Sequence, residues 1–195
     1  MRVLDFKKEE FEKFLNDELG KSNSSQKILV LGIAEGGIPV AEMVYEFFKK
    51  ETQNEVNLAF VKVQRPSTKQ KKANPKREKI LKSLFSVLPK FVLNYLRILE
   101  HKKLKNRSEA DLKREIHYAS LIEFSNYDQV WIVDDAVDSG ASMKAVVDDL
   151  SFKINKLRIK TLSVVVTQEN PIFMPDLYLF QNVLIRFPWS LDGKK

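Results

Sequence analysis

The chain contains no cysteine among its 195 residues, which excludes disulfides and cysteine-ligated metal sites. This absence is typical of proteins in a reducing compartment and favours a cytoplasmic location. Long uncharged apolar runs are also missing, and none approaches the roughly 18 residues needed to cross a bilayer. The N-terminus becomes charged at Asp5 and Lys7, too early for the apolar core of a signal peptide. We therefore expect no membrane span and no export signal.

The composition that remains is that of a folded domain. Hydrophobic residues make up 44% and charged residues 30% of the chain, which argues against a disordered protein. A formal net charge of +7 favours an anionic partner, such as a phosphorylated substrate, nucleic acid or an acidic membrane surface. The charge alone does not choose among these partners.

Short apolar runs alternate with helical patterns along the chain. The predicted strands are Lys27–Gly32, Val56–Val63, Val130–Asp134, Thr161–Thr167, Asp176–Phe180 and Val183–Arg186. The predicted helices include Ile38–Lys50, Ile80–His101 and Ala141–Leu150, and a basic loop is expected at Gln64–Arg77. This alternation predicts an α/β fold with a mostly parallel, twisted sheet flanked by helices. We expect a single domain over 1–195, with a helical insertion or hood at about 64–120.

One segment carries the strongest chemical signal. An apolar strand runs into Asp134 and Asp135, and a short loop then leads into a helix. Backbone amides of Ser139–Ser142 would lie at the helix N-terminus, where unpaired donors and the helix dipole favour a phosphate, and Gly140 would let the backbone approach it. The two aspartates suit ribose hydroxyls or a magnesium ion. The pattern predicts a sugar-phosphate pocket over Trp131–Ser142.

The segment Val130–Ser142 resembles the signature of the type I phosphoribosyltransferases, which use 5-phosphoribosyl 1-pyrophosphate (PRPP). That signature is four apolar residues, two acidic, two apolar, a variable residue, Ser or Thr, Gly, any residue and Ser or Thr, and every position is filled here. The resemblance implies magnesium-dependent transfer of the phosphoribosyl group to a nucleobase, with release of pyrophosphate. It assigns ribose and magnesium to Asp134 and Asp135. It assigns the 5-phosphate to Asp138, Ser139, Gly140, Ala141 and Ser142.

Two further features resemble one branch of that family, the hypoxanthine–guanine and xanthine phosphoribosyltransferases. Asp138 stands at the variable place of the signature, where the resemblance implies a catalytic acid or base beside the purine. A carboxylate there can accept a proton, although it could equally serve only to stabilise the helix N-terminus. Leu184 and Ile185, which precede Pro188 and Trp189, resemble the C-terminal segment that lines the acceptor pocket.

The turn Ala34, Glu35, Gly36 and Gly37 resembles the family's pyrophosphate loop. Two glycines before a helix expose backbone amides and make a second anion site. Glu35 departs from the family, in which Lys or Arg is common, and its carboxylate repels pyrophosphate unless magnesium or a lysine intervenes. The basic loop Gln64–Arg77 resembles the flexible loop that closes over the active site.

These features leave more than one function open. The purine branch uses a lysine against the purine 6-oxo group, and this chain has no lysine between Thr161 and Asp192. The leading hypothesis is a cytoplasmic, homodimeric transferase of purine salvage, which acts on PRPP and a small-molecule acceptor and not on nucleic acid. The alternatives are a non-catalytic PRPP- or nucleotide-binding regulator, phosphoribosyl transfer to an acceptor other than a base, and an unrelated α/β protein that mimics the motif.

Overall fold

The computed structural model describes residues 1–20, 25–64, 90–105, 114–190 and 193. The α-helices in these ranges are α1 (Lys8–Leu19), α2 (Gly37–Glu51), α3 (Lys90–Lys105) and α4 (Ala141–Ser151), and short 3₁₀ helices lie at Phe124–Asn126 and Lys156–Arg158. The strands are β1 (Arg2–Asp5), β2 (Lys27–Ala34), β3 (Glu55–Gln64), β4 (Glu115–Tyr118), β5 (Gln129–Val137), β6 (Ile159–Val166), β7 (Leu177–Gln181) and β8 (Val183–Arg186). No helix in the described ranges is long and apolar enough to span a membrane.

Six strands form the main sheet, in the order β4-β3-β2-β5-β6-β7. All neighbouring strands run parallel except β4, which pairs antiparallel with β3. Strands that are covered on both faces become unbroken apolar runs, and this explains the sequence of Ile28–Ile33 in the centre of the sheet. The predicted α/β fold with a mostly parallel sheet flanked by helices is therefore confirmed.

The side chains of the central strands alternate between two cores. Trp131 and Val133 of β5 pack in a core with α1 and α2, whereas Val130 and Ile132 pack on the opposite face with α4. This period of two is the geometry of a strand. Helices on both faces therefore fix β5, and with it the acidic residues that follow Val133.

A second, two-stranded sheet joins the two ends of the chain. β1 pairs parallel with β8, with Arg2 opposite Val183 and Asp5 opposite Arg186. The buried Arg186 guanidinium donates to Asp5 Oδ1 at 2.7 Å across this pair. The sequence predicted β8 but not β1, because β1 has only two apolar residues between the charged Arg2 and Asp5, whereas β8 begins with three apolar residues in a row.

The described residues of the predicted insertion at 64–120 include α3 and the antiparallel edge strand β4. Residues 114–120 are not helical. Residues 65–89 and 106–113 lie outside the described residues, and they include almost all of the basic loop Gln64–Arg77. The insertion and the closing role of that loop stay predictions.

A polar cluster fastens the edge strand β4 to α4. Tyr118 Oη donates to Asp149 Oδ2 at 2.5 Å, and Lys153 Nζ donates to the same oxygen at 2.7 Å. The ammonium of Lys153 also lies 4.5 Å from the centroid of the Tyr118 ring. Burial acts to raise the pKa of Asp149, but the hydrogen bonds from Lys153 and Tyr118 outweigh it and lower that pKa.

Candidate functional site

The carboxyl ends of β2 and β5 lie side by side in the middle of the sheet. After β2 the chain continues to β3 on one side of this pair, and after β5 it continues to β6 on the other side. Such a switch point leaves a crevice beyond the strand ends, where open α/β sheets bind ligands. Both segments singled out in the sequence, Ala34–Gly37 and Asp134–Ser142, lie at this crevice.

The glycine turn and the aspartate pair are in direct contact. A Cβ added to Gly36 would lie 2.5 Å from Asp135 Oδ2, and one added to Gly37 would lie 3.0 Å from Asp134 Oδ1. Asp134 Oδ1 accepts a hydrogen bond from the Asp135 amide at 2.9 Å, and Asp135 Oδ2 accepts one from Trp189 Nε1 at 3.3 Å. The residues predicted for pyrophosphate and for ribose are therefore brought together, and only side chains as small as glycine's allow it.

The aspartate pair has the electrostatic character of a cation site. Burial raises the pKa of both carboxyls, and the charge of Asp135 raises that of Asp134 further. Adjacent carboxylates that are removed from water repel each other, so a bound cation would stabilise them. The described residues contain no group of three or more metal-ligating side chains. Asp134 and Asp135 therefore fit magnesium held by one or two carboxylates, with water and substrate oxygens completing its coordination.

Gly140 directly precedes α4 and has a left-handed backbone conformation, with φ +80°. A Cβ on this residue would lie 2.8 Å from the backbone nitrogen of Phe173 and would overlap its carbonyl oxygen. The Ile172 amide donates to Ser139 O at 2.8 Å beside this contact. Close approach to a phosphate is the role that the sequence predicts for Gly140. In the structure the glycine is required by its positive φ and by the backbone of Phe173.

The N-terminus of α4 follows the loop after β5 that contains Asp138. The Lys144 amide donates to Gly140 O at 2.9 Å, so the amides between these residues precede the first hydrogen bond of the helix. One of them, that of Ala141, donates to Ser139 Oγ at 3.4 Å. Amides in this position, together with the helix dipole, favour an anion. The geometry is compatible with the predicted 5-phosphate site over Asp138–Ser142, and the binding itself stays a prediction.

A cavity of about 220 Å³ opens beside Asp135 and Asp138. The apolar part of its wall consists of Ala136, Val165, Leu184, Ile185 and Phe187. Leu184 and Ile185, the residues predicted for the acceptor pocket, therefore share one cavity with Asp138, the predicted catalytic residue. Small, mostly apolar cavities with a few polar groups are typical of small-molecule sites.

A buried threonine fixes the carboxylate of Asp138. Thr167 Oγ1 donates to Asp138 Oδ1 at 2.5 Å, and the Thr167 amide donates to Val137 O at 2.9 Å. Thr167 directly follows β6 and is only 4% exposed, so its hydroxyl holds one carboxylate oxygen in place. A carboxylate held at the wall of a cavity can accept a proton from a molecule bound there.

The charge of Glu35 is partly balanced by a lysine of the neighbouring strand. Lys62 Nζ lies 3.9 Å from Glu35 Oε1, and both side chains are at least half exposed. Lys62 stands opposite Ala34 in the register of β2 and β3. The peptide bond between Ala34 and Glu35 is cis. A lysine therefore lies beside Glu35, where it can offset the repulsion between this carboxylate and pyrophosphate.

Three further residues of the site were not predicted for it. Arg97 of α3 lines the cavity and donates to Ile185 O, but its place in the helical pattern carries no sign of this role. Thr167 could have been noticed as a polar residue at the end of a buried strand beside β5. Trp189, noted in the sequence only because it follows Leu184 and Ile185, stacks on Phe187 with a centroid separation of 4.9 Å and also donates to Asp135.

The comparisons with known proteins concern the fold. The chain matches no protein-family model and no curated protein. A purine phosphoribosyltransferase from Pyrococcus horikoshii superposes with a TM-score of 0.58 at 15% identity, over 97% of this chain and 95% of that one. A xanthine-guanine-hypoxanthine phosphoribosyltransferase from Helicobacter pylori gives 0.58 at 15% identity, over 98% and 96%. A hypothetical protein from Neisseria gonorrhoeae with bound ppGpp gives 0.52 at 10% identity, over 97% and 89%. The chain therefore has the fold of the type I phosphoribosyltransferases.

Proposed function

We propose that this chain, which has the fold of the type I phosphoribosyltransferases, is a magnesium-dependent transferase that uses PRPP. It transfers the 5-phosphoribosyl group to a purine-like nucleobase or to a related acceptor, and it releases pyrophosphate. One observation carries the proposal. The switch-point crevice collects the Gly36–Gly37 turn, the Asp134–Asp135 pair, the N-terminus of α4 and a cavity that contains Asp138.

Three parts of the crevice bind PRPP, and the fourth, the cavity with Asp138, takes the acceptor. The amides of Asp138–Ser142 hold the 5-phosphate, and the carboxylates of Asp134 and Asp135 accept hydrogen bonds from the ribose hydroxyls. The turn Ala34–Gly37 holds the pyrophosphate, with Lys62 offsetting the charge of Glu35. Asp134 and Asp135 would hold magnesium, which would supply positive charge near the pyrophosphate.

The reaction exchanges one bond at C1 of the ribose for another. The bond from C1 to the pyrophosphate oxygen breaks, and a bond from C1 to a nitrogen of the acceptor forms. The sugar becomes cationic between the two events, and the carboxylates of Asp134 and Asp135 stabilise that charge. Asp138, fixed by Thr167, accepts the proton that the acceptor nitrogen loses.

Pyrophosphate release from PRPP tests the proposal directly. The assay offers purines, pyrimidines and non-base acceptors in the presence of magnesium, and calorimetry measures PRPP binding. We expect release with at least one nucleobase, and its loss when Asp134 and Asp135 are both replaced by Asn. The matched control is Asp148→Asn on the exposed face of α4, where activity should remain. No release with any acceptor, together with no PRPP binding, would refute the proposal.

A second candidate is a nucleotide-binding regulator without turnover. Glu35 favours it, because its 86% exposed carboxylate stands in the turn assigned to pyrophosphate. The N. gonorrhoeae neighbour holds ppGpp, so this fold can bind a nucleotide that carries pyrophosphate groups. Binding of PRPP or ppGpp without pyrophosphate release would favour the regulator. Release with non-base acceptors only would indicate the remaining alternative, transfer to another class of acceptor.

The cellular setting belongs to the same proposal. We place the protein in the cytoplasm as a homodimer that acts in purine salvage. Sedimentation velocity of the full chain tests the homodimer, and fractionation of cells that express it tests the location. A monomer at assay concentration would remove the dimer from the proposal without affecting the assigned chemistry.

A further inference from the structure

The turn between α4 and β6 exposes two large apolar side chains. Phe152 is 92% exposed and Leu157 is 84% exposed, although folded proteins usually bury residues of these types. Leu121, in the loop between β4 and the 3₁₀ helix at Phe124–Asn126, is fully exposed. These three are the most exposed of the large apolar residues that the structure describes. Apolar side chains that are exposed together mark an interaction surface.

Lys153 connects the turn to the loop that carries Leu121. Its ammonium lies 4.5 Å from the centroid of the Tyr118 ring and 5.5 Å from that of the Phe124 ring. Leu121 belongs to the loop that joins these two aromatic residues, so it lies on the same side of the molecule as the turn. We call Leu121 and residues 152–158 the apolar–basic surface.

Hydrogen bonds hold the backbone of the turn. The Lys153 amide donates to Leu150 O at 2.8 Å. Asn155 accepts twice, through its side-chain oxygen from the Leu157 amide and through its carbonyl oxygen from the Arg158 amide, each at 3.0 Å. The exposed apolar side chains therefore project from a hydrogen-bonded turn and not from a frayed helix end.

The charged residues of the turn are all basic. Lys153 is paired with Asp149 at 2.7 Å. Lys156 and Arg158 are exposed, and no acidic residue within the described ranges forms an ion pair with either of them. The neighbouring loop contributes one exposed carboxylate, that of Glu123. The turn therefore places two positive charges without an ion pair beside its apolar side chains.

This combination of charge and apolar area identifies the partner. A second copy docked through the same surface would bring the cations face to face, because a twofold interface pairs a patch with itself. Nucleic acid would match the charge, but leucine side chains offer no ring on which bases can stack. A membrane of anionic lipids satisfies both features, since its headgroups attract the cations and its acyl region accepts the apolar side chains. We propose that the apolar–basic surface docks this protein on an anionic membrane.

The apolar–basic surface and the crevice lie at opposite ends of the strands. The turn directly precedes Ile159, the first residue of β6, whereas Thr167 at the wall of the cavity follows the last. The eight residues of β6 separate the two ends by about 25 Å, at roughly 3.3 Å per residue. The inference therefore goes beyond the proposed function and does not depend on it.

Co-sedimentation of the full chain with lipid vesicles tests the inference. One set of vesicles contains phosphatidylcholine with about one third phosphatidylserine, and the other contains phosphatidylcholine alone. We expect binding to the anionic vesicles to be at least roughly tenfold stronger, because each cation near the surface contributes to it. That binding should weaken as the salt concentration rises from about 0.05 M to about 0.5 M, because salt screens the attraction.

Two double variants remove the two features separately. Phe152→Ser with Leu157→Ser removes apolar side chains and should weaken binding to the anionic vesicles roughly tenfold or more. Lys156→Gln with Arg158→Gln removes the two cations and should weaken that binding roughly tenfold, which leaves little preference over phosphatidylcholine alone. All four side chains are exposed, so both variants should keep the melting temperature of the wild type.

Each double variant has a matched control elsewhere on the molecule. Lys13→Gln with Lys49→Gln makes the same change in net charge on α1 and α2, which pack on the face of the sheet opposite to α4. Ile172→Ser with Met174→Ser removes two exposed apolar side chains beyond the carboxyl end of β6. Both controls should bind the anionic vesicles within about twofold of the wild type, since they lie farther from the docked surface than a screening length.

Several results would overturn the inference. Equal binding to the two kinds of vesicle, or no binding to either, would do so. Unchanged binding of Phe152→Ser with Leu157→Ser would do so as well, with Leu157→Ser alone measured where the double variant does not fold. Binding of polyuridylate that needs Lys156 and Arg158 but not the apolar pair would assign the surface to nucleic acid instead. Loss of self-association in the apolar double variant, with vesicle binding intact, would assign it to a second copy of the chain.

Discussion

Replacing Gly140 by alanine tests the geometry at the start of α4. The backbone of Gly140 has φ +80°, and a left-handed conformation costs an L-amino acid about 1–2 kcal/mol. The added Cβ would lie 2.8 Å from Phe173 N and would overlap Phe173 O, so backbone rather than a flexible side chain must move. That movement also endangers the hydrogen bond from the Ile172 amide to Ser139 O, worth about 1 kcal/mol.

We expect Gly140→Ala to lower the free energy of unfolding by about 2–4 kcal/mol, a large part of the stability of a typical domain. Equilibrium denaturation in urea measures the loss, and calorimetry with PRPP should show weaker binding because the helix N-terminus shifts. Asn182→Ala is the control, since Asn182 has φ 59° in the turn between β7 and β8. It should cost about 1 kcal/mol or less and leave PRPP binding unchanged. A loss for Gly140→Ala no larger than that of the control, or unchanged PRPP affinity, would refute the reasoning.

Three further substitutions test separate parts of the structure. Asp138→Asn should lower kcat roughly 10²–10⁴-fold in the pyrophosphate-release assay, because the amide cannot accept the acceptor's proton, and an unchanged kcat would contradict this role. Trp189→Phe removes the 3.3 Å hydrogen bond to Asp135 but keeps an aromatic ring, so the KM for PRPP should rise roughly two- to tenfold, and a change in melting temperature alone would argue against it. Asp149→Asn should lower stability at pH 7 by about 0.5–1 kcal/mol in urea. Because folding lowers the pKa of Asp149, its contribution is present above the unfolded carboxyl pKa of about 3.9 and is lost as the pH falls through the folded value, so the difference from wild type should shrink at pH 3.

The sequence predicted the elements that carry the site because their signals are local. β5 was expected at Val130–Asp134 and is observed at Gln129–Val137, and α4 was expected at Ala141–Leu150 and is observed at Ala141–Ser151. An unbroken apolar run indicates the strand, a period of 3.6 residues indicates the helix, and a glycine marks the turn between them. All three can be recognised within about fifteen residues of sequence. The fold followed from the repetition of such pairs along the chain.

The parts that could not be predicted depend on contacts between distant residues. The hydrogen bond from Trp189 to Asp135 spans 54 positions, and that from Arg97 to Ile185 spans 88. Neither leaves a periodic pattern in the sequence, because each partner serves its own helix or strand in the ordinary way. Such residues become recognisable only once the strand order places their elements beside one another.

The register of β5 in the sheet fixes the chemistry of the crevice as well as the core. Gly32 of β2 stands opposite Val133 of β5. Because of this pairing, the Gly36–Gly37 turn that follows β2 contacts Asp134 and Asp135, the two residues after Val133. A slip by one residue would turn every side chain of β5 to the opposite face of the sheet. Asp134 and Asp135 would then exchange places, and the bond from Trp189 and the contact with Gly36 would both be lost. The same alternation that buries Val130 and Trp131 on opposite faces therefore selects Asp135 as the carboxylate that contacts Gly36 and lines the cavity.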